Sequence, residues 1–189
     1  MKKSLPEILK IGDVILFQSG SIVEHFQRKA KFSKEASKYT HVAGSLGGYR
    51  IIEARDFLHK SGARDIRYYV DKGVKFIVLR YFDVKDKQRY KLGINWALYA
   101  NLKYKMIELV GMEFKRIFKT SSNWFGRRNG VFCSELITRG FQDTGVKLFR
   151  KSADLIYPAD YFYAYMTKKF KKVYSSPPQQ PKQHTHIIT

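Results

Sequence analysis

At 189 residues, with 44% hydrophobic and 15% aromatic residues, the chain suits one domain with a sizeable core and leaves little for a second. Against 36 lysines and arginines stand 16 aspartates and glutamates, a formal net charge of +20 that favours an anionic partner such as nucleic acid, an acidic membrane face or a wall polymer. No stretch approaches the ~20 uninterrupted apolar residues of a membrane span, and the single cysteine excludes an intrachain disulfide and a thiolate-rich metal site.

No aromatic RNA-binding stretch or zinc-finger spacing accompanies the charge. After the basic start Met1-Lys2-Lys3, Asp13 interrupts the first hydrophobic segment and no cleavable apolar run follows, so no signal peptide is read. A reducing, cytoplasmic location is expected for a lone thiol. Neither a cofactor nor a bound metal is expected.

In chain order, Asp13 to Gln18 reads as a buried strand. Ile22, Val23, Phe26 and Ala30 predict a short helix within Ser21 to Ser37. Thr40 to Leu46 and Tyr49 to Ala54 are strands flanking a Gly47-Gly48 turn, and Lys75 to Phe82 is a further β-branched and aromatic run. From Asp86 to Lys119 the spacing of Leu92, Trp96, Tyr99, Leu102, Met106, Leu109, Val110, Phe114 and Ile117 predicts a core-facing helical region, which Gly111 interrupts. A polar loop, Ser121 to Gly130, precedes a helix that carries Cys133, Leu136, Ile137, Gly140 and Phe141 on one face and stops at Gly145. A domain over 1–174 is expected to end in a disordered tail, 175–189, where His184 and His186 read as solvated.

Any cysteine chemistry falls to Cys133. At a helix start its thiol meets unpaired backbone N–H groups and the positive end of the helix dipole, an environment that favours the thiolate. Arg127, Arg128 and Arg139 add positive field, which Glu135 opposes. A nucleophilic thiol needs a base, and the base needs a group to orient it. If the hairpin closes through the three residues Leu46-Gly47-Gly48, His41 falls directly opposite Glu53. A two-residue Gly47-Gly48 loop would instead pair His41 with Ala54 and send Glu53 to the other face. Glu53 sits among Ile51, Ile52 and Ala54, where an unpaired carboxylate is costly. His25 and His59, in polar segments, are weaker candidates for the base.

The run His41-Val42-Ala43-Gly44, Gly47-Gly48 and Ile51-Ile52-Glu53-Ala54 resembles the His-strand, glycine turn and third-residue strand of NlpC-type cysteine peptidases. Here Val131-Phe132-Cys133-Ser134-Glu135-Leu136-Ile137 follows that hairpin. This order resembles the circularly permuted branch, the YiiX-like and lecithin-retinol-acyltransferase-related proteins. Gly12 to Phe17 and Tyr157-Pro158-Ala159-Asp160 are similar to further segments of that group. The resemblance implies an α+β, permuted papain-like fold: a small antiparallel sheet or half-barrel packed on the Cys-bearing helix, with an additional helical region. It implies Cys133 as nucleophile, His41 as base and Glu53 as orienting residue in a thiol hydrolase or acyltransferase acting on a peptide, amide or lipid acyl substrate. The Cys133 backbone N–H, with Gln18 as a side-chain donor, is the expected oxyanion site. The helical region with Trp96 and Trp124, outside the match, is left to set substrate choice. The competing expectation is a non-catalytic basic module that binds an anionic polymer or membrane surface.

Overall fold

The computed structural model describes residues 4–20, 22–54, 60–104 and 130–177. Within them, six antiparallel strands form one sheet in the order β4-β3-β2-β1-β5-β8. The strands are β1 (Val14–Gln18), β2 (His41–Gly47), β3 (Arg50–Glu53), β4 (Gly62–Asp65), β5 (Lys75–Tyr81) and β8 (Phe170–Ser175). Two short strands, β6 (Lys103–Tyr104) and β7 (Gly130–Val131), pair in parallel apart from it. The helices are α1 (Leu5–Ile8), α2 (Ile22–Lys29), α3 (Lys34–Ser37), α4 (Arg67–Asp71), α5 (Asp86–Leu98), α6 (Cys133–Asp143) and α7 (Pro158–Met166). Among the described residues, no helix is long and apolar enough to cross a membrane.

Strand alternation gives the sheet two buried faces. Val14, Leu16, Val42, Ile52, Ile77 and Leu79 point to one, against Leu92 and Trp96 of α5, Leu136, Ile137 and Phe141 of α6, and Tyr161 of α7. Ile15, Phe17, Ala43, Ile51, Phe76 and Val78 point to the other, against Leu9, Ile66 and Tyr69. Central β1 is therefore apolar at every position from Val14 to Phe17, all fully buried. The preceding Asp13 is buried as well. Its carboxylate takes Arg80 Nε and Nη2 at 2.7 Å each and the Lys10 N–H at 2.9 Å.

Trp96 sets the distance between helices and sheet. Its ring lies between Gly44 of β2 and Gly140 of α6, where an added Cβ would stand 2.5 and 2.0 Å from indole carbons. Its Nε1–H donates to the Ile137 carbonyl at 3.1 Å. Only glycine at both positions admits the indole at this depth.

Several expectations need correcting. The short helix expected within Ser21 to Ser37 is α2, and a second, unexpected one, α3, follows it, because Lys31 adopts φ 61° and Ser33 caps a new start by accepting from Ala36 N. The helix from Asp86 ends at Leu98. Asn101 takes φ 65°, and Ser61 ties down the following turn through the Tyr99 and Leu102 carbonyls and the Leu102 N–H. Leu92 and Trp96 face the core as expected, with Tyr99 and Leu102 packed against it, while Met106, Leu109, Val110, Gly111, Phe114, Ile117 and Trp124 lie outside the described residues. Ser175 belongs to β8 rather than to a disordered tail. β4 and α4 carry too few regularly spaced apolar residues to be read from sequence, and β8 reads only as a basic run.

Candidate active site

Cys133 is the first residue of α6. Phe132 precedes it in extended conformation (φ −104°, ψ 169°), and the Phe132 carbonyl accepts the first helical bond from Leu136 N at 3.0 Å. The first-turn N–H groups have no intrahelical acceptor and converge at the end of the helix that carries the thiol. The helix is pinned by its neighbours: Ser134 Oγ donates to the Ile156 carbonyl, and Thr138 Oγ1 lies 2.8 Å from the Tyr161 hydroxyl. Gly145 takes φ 82° just beyond Asp143, a glycine stop of the expected kind. Cys133 itself is buried.

The hairpin differs from its expected register, yet it unites the expected pair. The closing pair is Gly47 with Arg50, so the turn is Gly48-Tyr49, one residue later than expected. A bulge between Ser45 and Gly47 then shifts the pairing, giving Ser45 opposite Ile51 and Gly44 opposite Ile52. Continued, this register sets Ala43 rather than His41 across from Glu53. The shift is by two residues, so His41 and Glu53 keep a common face as diagonal neighbours. The long glutamate side chain spans the diagonal: His41 Nε2 lies 2.7 Å from Glu53 Oε2.

His41 opens β2, opposite Phe17, at the rim of the sheet. Its ring sits 5.6 Å from the Phe17 ring and 6.1 Å from that of Tyr69. With Nε2 committed to Glu53, Nδ1 is the ring nitrogen left free, and the Cys133 sulfur lies near enough to favour the charged imidazole. The three side chains thus gather around the end of the sheet, with the His41–Glu53 hydrogen bond as the link between β2 and β3. Burial works against charge on His41, but its interactions with Cys133 and Glu53 outweigh it and push the imidazole up to about 10. Burial likewise opposes the Glu53 carboxylate. Its contacts with His41, Tyr69 and Arg64 nevertheless hold it below the usual carboxylate range.

Sequence reasoning missed two neighbours of this cluster. The Tyr69 hydroxyl of α4 donates to Glu53 Oε2 at 2.6 Å. Arg64 of β4 brings Nε within 2.9 Å of Glu53 Oε1, an ion pair without hydrogen-bond alignment. Both come from elements that could not be read from sequence; the only signal was an unpaired acid in an apolar strand.

The other expected residues separate clearly. Gln18 ends β1, one residue beyond the partner of His41. Arg139 lies 2.5 Å from Glu135, so the field it adds near the thiol is partly spent on that buried carboxylate. His25 is exposed on α2 beside Phe26. His59, Arg127, Arg128, His184 and His186 lie outside the described residues. No protein-family model matches this sequence, and no curated protein matches it significantly.

Proposed function

We propose that the protein is a thiol hydrolase or acyltransferase of the circularly permuted papain-like kind, cleaving an amide or ester through a thioester on Cys133. The observation that carries this reading is the buried His41–Glu53 hydrogen bond at 2.7 Å beside Cys133, whose sulfur stands at a helix N-terminus.

In the first step the sulfur attacks the substrate carbonyl as thiolate, beside a protonated His41. The tetrahedral oxyanion is met by the Cys133 backbone N–H, with a Gln18 amide hydrogen as second donor. Collapse breaks the bond to the leaving amine or alcohol, which takes its proton from His41. Neutral His41 then removes a proton from water, or from an acceptor hydroxyl or amine, as that oxygen or nitrogen attacks the thioester. Release of the acyl product returns the sulfur as thiolate and leaves the proton on His41. Glu53 holds the ring orientation throughout and takes no proton. Peptides, amides and lipid acyl groups are the substrate classes consistent with this chemistry, and a basic surface suits anionic examples of each.

The test is the rate at which iodoacetamide alkylates Cys133 across pH. Alkylation faster than that of a free thiol at pH 6, slowed about tenfold or more by His41→Ala, is expected. A rate equal to a free thiol's, indifferent to His41, would refute the proposal and favour a non-catalytic basic module.

A further inference from the structure

Both oxygens of the Glu53 carboxylate are engaged, and His41 accounts for only part of that engagement. Oε2 receives the Tyr69 hydroxyl at 2.6 Å in addition to His41 Nε2, and Oε1 faces Arg64 Nε at 2.9 Å. The Glu53 side chain has no solvent exposure, so a single partner would leave it poorly compensated for lost hydration. These partners come from three separate elements: β2, β4 and α4. Arg64 pairs opposite Ile51 and so shares the face of Glu53. Tyr69 stands on α4, whose leading Ile66 N–H is tied to the Tyr49 carbonyl of the hairpin turn at 2.9 Å. Its ring packs 4.2 Å from that of Phe17, which also flanks His41.

We infer that Tyr69 and Arg64 are positioning residues for the reaction: they act through Glu53, fixing both carboxylate oxygens and keeping the group ionised beside His41. This rests on the Cys133–His41 reading given above. With the sulfur as thiolate, Cys133, His41, Glu53 and Arg64 alternate in sign and sum to zero. Removing the arginine leaves one uncompensated negative charge in a buried site, which is most readily relieved by protonating Glu53. Among the described residues, the titratable and charged groups acting on Glu53 are His41 from β2, Tyr69 from α4 and Arg64 from β4. Tyr69 and Arg64 both favour the carboxylate, so loss of either raises the pH at which Glu53 gains a proton and ceases to support the imidazolium.

The experiment is the pH–rate profile of Cys133 alkylation by iodoacetamide in the full chain, for Tyr69→Phe, Arg64→Gln and Arg64→Lys, with thermal melting as a check on folding. The expected result is an acid limb displaced upward by about one pH unit in Tyr69→Phe and in Arg64→Gln, with Arg64→Lys close to wild type. A packing role alone would lower the rate equally at all pH values. Arg64 is partly exposed and Tyr69→Phe removes one hydroxyl, so both proteins should fold. An acid limb unmoved in a folded Arg64→Gln or Tyr69→Phe protein overturns the inference, even where wild-type alkylation depends on His41. A wild-type thiol that ignores His41 defeats the hydrolase reading, and this inference with it.

Discussion

His41 and Glu53 carry opposite charges in a buried site, and each depends on the other. His41 is held up to about 10, so the proton it gains on folding stabilises the native state fully below the unfolded value near 6.5, a contribution lost as pH rises towards 10. Glu53 is held low, so its contribution is present above the unfolded value near 4.5 and lost as pH falls through the folded one. The Tm is therefore expected to decline between pH 6.5 and 10, and His41→Gln should flatten that decline in a melting series. Activity should lose its general acid over the alkaline end of the same window. At Gln18 the expectation concerns catalysis: if its amide meets the oxyanion, Gln18→Ala lowers kcat by about 10²–10³-fold with little change in Tm. An unchanged kcat would remove Gln18 from the oxyanion site.

The elements meet at Trp96. Because the indole fills the space between β2 and α6, the height of the Cys133 helix above the sheet is set by two absent side chains, at Gly44 and Gly140. Gly140→Ala puts a methyl group 2.0 Å from the ring and must displace either the helix or the indole, at a cost of about 1–3 kcal/mol. Calorimetry should register that loss. The alkylation rate should fall too, since a displaced α6 carries the sulfur away from His41. A second junction is Asp13, whose carboxylate joins the start of β1 to Arg80 of β5 and, at 3.6 Å, to Arg89 of α5. Asp13→Ala leaves the Arg80 guanidinium partly buried without its partner, and a loss of about 3–5 kcal/mol is expected in urea unfolding.

For the whole molecule, the net charge of +20 sets association more than folding. Lys171 and Lys172 lie exposed on β8, one edge of the sheet, where charge discourages pairing with a second chain. Binding to vesicles rich in anionic lipid should weaken steeply as salt rises and should be indifferent to Cys133→Ala. Salt-insensitive sedimentation with such vesicles would exclude charge as the cause.

Much of the site was legible one residue at a time. A lone cysteine at a helix start, a strand histidine and an acid stranded among isoleucines are local chemical facts, and short apolar, β-branched and aromatic runs marked Asp13–Gln18 and Lys75–Phe82 as strands close to their observed bounds. Parity survived as well, because strand side chains alternate strictly and a two-residue shift restores the same face. The bulge that produced the shift was not legible; it depends on consecutive left-handed glycines, Gly47 and Gly48, and on the neighbouring strands. Nor was the end of α5, since the helical spacing of Tyr99 and Leu102 yields to Ser61 from a distant segment. The sequence by itself marked the lone thiol, the strand histidine and the acid among isoleucines, and left two hairpin registers open for the face that Glu53 occupies. Only the tertiary structure decided their contact, because the meeting of Cys133 with His41, and of Glu53 with Tyr69 and Arg64, depends on how α6, β4 and α4 pack around the rim of one sheet.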